Sequence, residues 1–234
     1  MTSEPLKTLY AIYGASGFGR GVMPLARAQL QAADLESAYE LVFIDDAESA
    51  ESAEWVNGHR VLSFDAFVAL EATAKYVCIA IANSQIRERL VQKLEQHSLQ
   101  HWSVWAATHI QMDDVQIGQG AVLCNHVHFS SNIRVGDFFH ANYFSYVAHD
   151  CVIGNYVTFA PSVKCNGNVH IGDHAYIGAG AMLRQGTCTR PLMIGRGAVV
   201  GMGAVVIDDV PDGATVVGNP ARIIKISRSG PSAC

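Results

Sequence analysis

The chain has 234 residues, 50% of them hydrophobic and 16% charged, with a formal net charge of −5. That balance excludes the basic footprint of a nucleic-acid binder, and no apolar run approaches the ~20 residues of a membrane helix. The opening "MTSEPLKTLYAIYG" has no basic region ahead of an apolar core, so the expectation is a cytoplasmic protein. The six cysteines, Cys78, Cys124, Cys151, Cys165, Cys188 and Cys234, are scattered rather than framework-spaced, as in a reducing compartment. Cys151 and Cys165 read as small core residues.

From the N-terminus, strand and helix patterns alternate. "KTLYAIYG" is an apolar run ending in glycine, and "GASGFGRGVMPLARAQLQ" continues with helical spacing. "YELVFIDD" predicts a second strand ending in two acids, and "KYVCIAIA" a third. "SQIRERLVQKLEQH" predicts an amphipathic helix with a serine cap. Such alternation implies an α/β domain over residues 1–105, a small Rossmann-like parallel sheet with helices packed on it. The turn "GASGFG", Gly14 to Gly19, lets backbone approach a phosphate at a helix N-terminus. It lacks the full dinucleotide spacing, and a plain tight turn would look the same. Asp45 and Asp46 end the next strand, at the carboxyl edge where such sheets bind ligands, which favours a nucleotide diphosphate-sugar.

After residue 105 the period changes to six. Ile117, Leu123, Phe129, Val135, Ala141, Val147, Ile153, Phe159, Cys165, Ile171, Ile177 and Leu183 are all apolar or small, and the series resumes at Ile194, Val200 and Val206. Six residues suit one short strand and one turn. Three such sides close a triangular coil, and coils stack about 4.8 Å apart. Residues 18 apart then form three inward columns over about five coils, filling residues 106–226, with 227–234 as a tail. Glycine follows seven of the fifteen inward positions, and Asn142 and Asn166 share that slot, a pattern read as easing unusual backbone angles. The step from Leu183 to Ile194 is five residues too long, so "TRPLM" and its neighbours, within 186–193, are expected to leave the coil as a loop. In this register His149 falls on a corner and faces out, with Gly167 one coil later leaving room for a thin ligand arm. A surface histidine is the plain alternative.

These repeats, with the ending "IGRGAVVGMGAVVIDDVPDGATVVGNPARII", resemble the hexapeptide-repeat acyltransferases, whose fold is a left-handed parallel β-helix. "YGASGFGR" with "FIDD" is similar to the sugar O- and N-acetyltransferase subgroup, which acts on nucleotide-linked amino sugars or sialic acid. The resemblance implies acetyl-CoA as co-substrate and a role in surface glycan synthesis, and the flat, self-complementary sides of such a prism predict a homotrimer with His149 near the subunit boundary. It implies His149 as general base and Asp150 as its orienting acid. It places Ser16 and Gly17 at the sugar nucleotide, Asp45 and Asp46 at the nucleoside end, and Asn142 near the amine. Gly167, Gly178 and Ala179 would line the pantetheine arm, unless they are only repeat residues, as Asn142 would be only a turn asparagine. Phe18 stands where the subgroup has histidine, which keeps a hydroxyl acceptor, as in sialic acid O-acetylation, as the alternative to an amine. A non-catalytic binding or scaffold β-helix is a third reading. Cys124, His126 and His128 alternate, and His170 and His174 lie four apart, but no tetrahedral set emerges and no metal is expected. The zinc-ligand spacing of the γ-class carbonic anhydrases, a related β-helix family, is absent.

Overall fold

The computed structural model describes residues 6–33, 38–46 and 54–226. The expected tail at 227–234, with Cys234, lies outside the described residues. The chain divides into two compact units, Met1–Ala107 and Thr108–Cys234, against the expected 1–105 and 106–226.

The first unit holds β1 (Thr8–Tyr13), α1 (Gly17–Ala32), β2 (Tyr39–Ile44), β3 (Trp55–Val56), β4 (His59–Leu62), α2 (Phe64–Ala69), β5 (Lys75–Ile79), α3 (Ser84–Gln96) and β6 (Gln100–His101). The sheet order is β3-β4-β2-β1-β5-β6, parallel except for the β3–β4 pair. The carboxyl halves of β1 and β2 are buried, so their runs of hydrophobic residues reflect covered faces. Gly14 sits at φ +112° at the end of β1, and a Cβ on Gly19 would collide with the Gly14 carbonyl. The turn therefore needs glycine at both places, one for conformation and one for close packing. The cap of α3 differs from expectation. Asn83, not Ser84, accepts the Ile86 N–H (3.0 Å).

The second unit is the triangular coil. Three parallel faces stack in the expected columns: Ile117–Val135–Ile153–Ile171–Ile194, Leu123–Ala141–Phe159–Ile177–Val200 and Phe129–Val147–Cys165–Leu183–Val206. All are buried except the half-exposed Ile117. A second inward layer, two residues before each of these, was not read from the pattern; it includes Val127, Ile133, Phe139, Cys151, Val157 and Val169, all buried.

Two local expectations are corrected. The left-handed angles occur three residues after most inward positions, among them Asn132, Phe138, Phe144, Asp150, Tyr156, Ser162, Asn168 and His174, and not at the slot directly after it. The glycines in that slot are there because coils press together. A Cβ on Gly154 would lie 2.7 Å from Asp173 N, and one on Gly178 would lie 2.6 Å from Met202 N. Asn142 and Asn166 in the same slot donate their Nδ2 to the carbonyls of Phe159 (3.2 Å) and Leu183 (2.7 Å) in the next coil. The extruded loop is Thr187–Pro191, "TCTRP", closed by a Thr187–Arg190 bridge. Leu192 and Met193 have rejoined the wall in the strand Leu192–Ile194, with Leu192 fully buried.

Candidate active site

His149 and Asp150 occupy the corner that follows the third face. Adjacent side chains on a strand point apart, but Asp150 has φ +58°, which turns its carboxylate back to its neighbour. Asp150 Oδ2 lies 2.7 Å from His149 Nδ1. An ionised carboxylate only accepts hydrogen bonds, so Nδ1 is the donor, and in the neutral ring Nε2 carries the lone pair. The His149 hydrogen bond, helped by one from Asn132, holds the Asp150 carboxyl below the usual carboxylate range. Both side chains are about half exposed, at 47% and 48%. Asn168 N–H fixes the His149 carbonyl (2.9 Å), and Asp150 N–H donates to the Ser131 carbonyl (3.2 Å).

Gly167 lies one coil on, as its register requires. A Cβ there would fall 2.5 Å from both Cε1 and Nε2 of His149. The missing side chain makes room for the imidazole itself. Asn142, Gly178 and Ala179 lie elsewhere, at the corner that follows the second face. A single chain therefore joins His149, Asp150 and Gly167 and leaves those three residues apart from them. On the third face near that second corner is a cleft of about 450 Å³ lined by His126, His128, Phe144, Ser145, Tyr146 and Lys164. The rings of His126 and Phe144 stack at 5.1 Å, and Lys164 Nζ donates to the Phe144 carbonyl (3.1 Å). The six-residue pattern predicted no such cleft, because its walls, the buried Ser145 apart, are outward side chains that the inward period does not constrain.

In the first unit, Ser16 and Gly17 are exposed at the start of α1, and the Ser16 side chain does not cap the helix. Phe18 is half-buried on its first turn. Asp45 Oδ2 accepts the Ala15 N–H (2.8 Å), tying the second strand to the glycine turn. Asp46 is more heavily engaged than expected of a direct nucleoside contact. Its Oδ2 takes the Tyr13 hydroxyl and Lys93 Nζ, and its Oδ1 takes the Phe64 N–H. Burial alone would raise its carboxyl; the three donors outweigh it and lower it.

Four of the described cysteines, Cys78, Cys124, Cys151 and Cys165, are buried away from any acyl acceptor. Burial pushes the Cys124 thiol up to about 12. Contact with Cys165 lowers the Cys151 thiol, an activating neighbour the sequence did not reveal, but Cys151 is fully buried inside the coil. Among the described residues no group of three His, Cys, Asp or Glu side chains is placed to hold a metal ion, and no helix is long and apolar enough to cross a membrane.

Comparisons with known proteins agree with this architecture. Residues 10–94 match the family model of the PglD N-terminal domain. Over 219 residues the chain is 47% identical to the GDP-perosamine N-acetyltransferase of Escherichia coli O157:H7, covering 94% of this chain and 97% of that one. The solved structure of WeeI from Acinetobacter baumannii AYE is 54% identical, with a TM-score of 0.87 over 93% of this chain and 100% of WeeI. The acetyltransferase domain of PglB from Neisseria gonorrhoeae FA1090, solved in complex with acetyl coenzyme A, is 28% identical, with a TM-score of 0.79 over 93% and 100%. With a six-residue coil, a Rossmann-like sheet and these relatives along its length, the chain belongs to the left-handed β-helix acetyltransferases that transfer acetyl from acetyl-CoA to the amine of nucleotide-linked sugars.

Proposed function

We propose that the acceptor is a GDP-linked 4-amino-4,6-dideoxy sugar of the perosamine type, and that His149 is the general base. The near full-length 47% identity to a GDP-perosamine N-acetyltransferase supports the acceptor, and the Asp150-oriented imidazole supports the base. A sugar amine is largely protonated near neutral pH and must lose a proton before it can attack, and histidine is the side chain that titrates in that range. The ammonium first gives one proton to water; the neutral amine nitrogen then attacks the thioester carbonyl, the C–N bond forms, and one of the nitrogen's two remaining protons passes to His149 Nε2. The C–S bond then breaks, and the CoA sulfur takes up that proton. Asn166 and Asn168 use their N–H groups on Leu183 and His149; the Gly167 N–H between them is the donor we assign to the oxyanion.

In the same reading, Ser16 and Gly17 receive the diphosphate-sugar, and Asp45 lies at the nucleoside end. Asp46 braces that end through Tyr13 and Lys93. The chain forms a homotrimer, and a neighbouring copy brings its own Asn142, Gly178 and Ala179 to His149. An acyl-CoA and a nucleotide sugar as substrates support the cytoplasmic location expected from the sequence. No structural observation favours a sialic acid hydroxyl over the amine.

The test follows thiol release from acetyl-CoA with GDP-, UDP- and dTDP-linked 4-amino sugars and with sialic acid. Turnover is expected with the GDP-linked amino sugar, and no turnover with any member overturns the reading. His149→Ala should lower kcat by about 10²–10⁴-fold; full activity in that variant removes the proposed base.

A further inference from the structure

We propose that Asn132 is a positioning residue for the acetyl transfer, holding Asp150 so that Asp150 can hold His149. It lies 18 residues before Asp150, directly one coil below it on the same corner. Its Nδ2 donates to Asp150 Oδ1 (3.3 Å), while Oδ2 of the same carboxylate accepts from His149 Nδ1 (2.7 Å). The two bonds take opposite oxygens of one carboxylate and fix its plane. Without the lower bond, a carboxylate that is 48% exposed can rotate toward water and lose the imidazole. The lower backbone is itself anchored, since Asn132 N–H donates to the Asp113 carbonyl (3.0 Å). Asp150 thus sits in a chain of three side chains spanning two coils, and only the last of them faces the reacting amine.

Asn132 has φ +59°, where most side chains are strained and Gly, Asn and Asp are the tolerated residues. That provides two variants that keep the corner. Asn132→Gly removes the donor. Asn132→Asp keeps the shape and sets a second carboxylate against Asp150. A purely structural role predicts that both behave as wild type.

The proposal rests on His149 being the base, so His149→Ala is measured alongside. With acetyl-CoA and the GDP-linked amino sugar, Asn132→Gly should lose about tenfold in kcat and Asn132→Asp up to about a hundredfold, since small misplacements of a reacting group cost that much. KM for both substrates should stay within about twofold, marking a loss confined to the transition state, and the thermal midpoints should match wild type. Wild-type kcat in either variant, or a loss carried by KM alone, overturns the role of Asn132 if His149→Ala is inactive. An active His149→Ala overturns the base assignment instead.

Discussion

Gly167 shows how one absent side chain places a catalytic group. Its backbone is not in the left-handed region, so alanine would not strain it, yet the new Cβ would meet the His149 ring at 2.5 Å. Gly167→Ala should therefore swing the imidazole away and lower kcat by about 10–100-fold, with little change in the thermal midpoint. Steady-state kinetics and a melting curve check this; an unchanged kcat would show that the ring does not rest on the glycine. The 18-residue register identified Gly167 as the neighbour of His149 but did not show that the ring itself rests in the space. Spacing says which residues stack, not which side chain fills the gap. The same register would have identified Asn132, 18 positions before Asp150, had polar residues been followed as the apolar ones were.

At the level of elements, the coil tolerates its interruption because the wall closes around it. Gly186 N–H bonds to the Gly167 carbonyl and Leu192 N–H to the Asn168 carbonyl, the rungs that an unbroken repeat would make. The five residues between them, Thr187–Pro191, contribute no rung to the wall. Deleting them joins Gly186 to Leu192 in register. The variant should fold with a thermal midpoint within about 4 °C of wild type, on the order of 1 kcal/mol for a chain of this size. A much larger fall by circular dichroism would make the loop structural. The sequence located the insertion and its length correctly. It misplaced the boundary by assigning Leu192 and Met193 to the loop, because the shifted period hid that Leu192 is an inward residue of the resumed coil.

For the whole molecule, the outer surface of the coil matters as much as its core. Val152, Met193, Met182 and Ile110, each at 45–49% exposure, project outward from its faces, and exposed apolar surface of this kind marks association sites when it is contiguous. The expected site residues are also split between two corners of one chain. The proposed three-fold assembly would meet both features. Light scattering at micromolar concentration should give a mass near that of three 25.2 kDa chains; a monomer would leave Asn142, Gly178 and Ala179 with no route to His149.

Sequence alone determined the alternating first unit, the three-sided coil, its inward columns and the outward histidine. Burial selects residue type, so an apolar interior repeated every six positions is written directly in the pattern. Only the tertiary structure decided that the His149 ring bonds the Asp150 carboxylate, that the Asn132 amide bonds it from below, and that Asp46 is bound to Tyr13 and Lys93. Those relations depend on a left-handed turn, on side-chain rotation and on partners 33 and 47 residues away from Asp46. No periodicity carries that information, because hydrogen-bond direction is set by backbone angles and not by hydrophobicity.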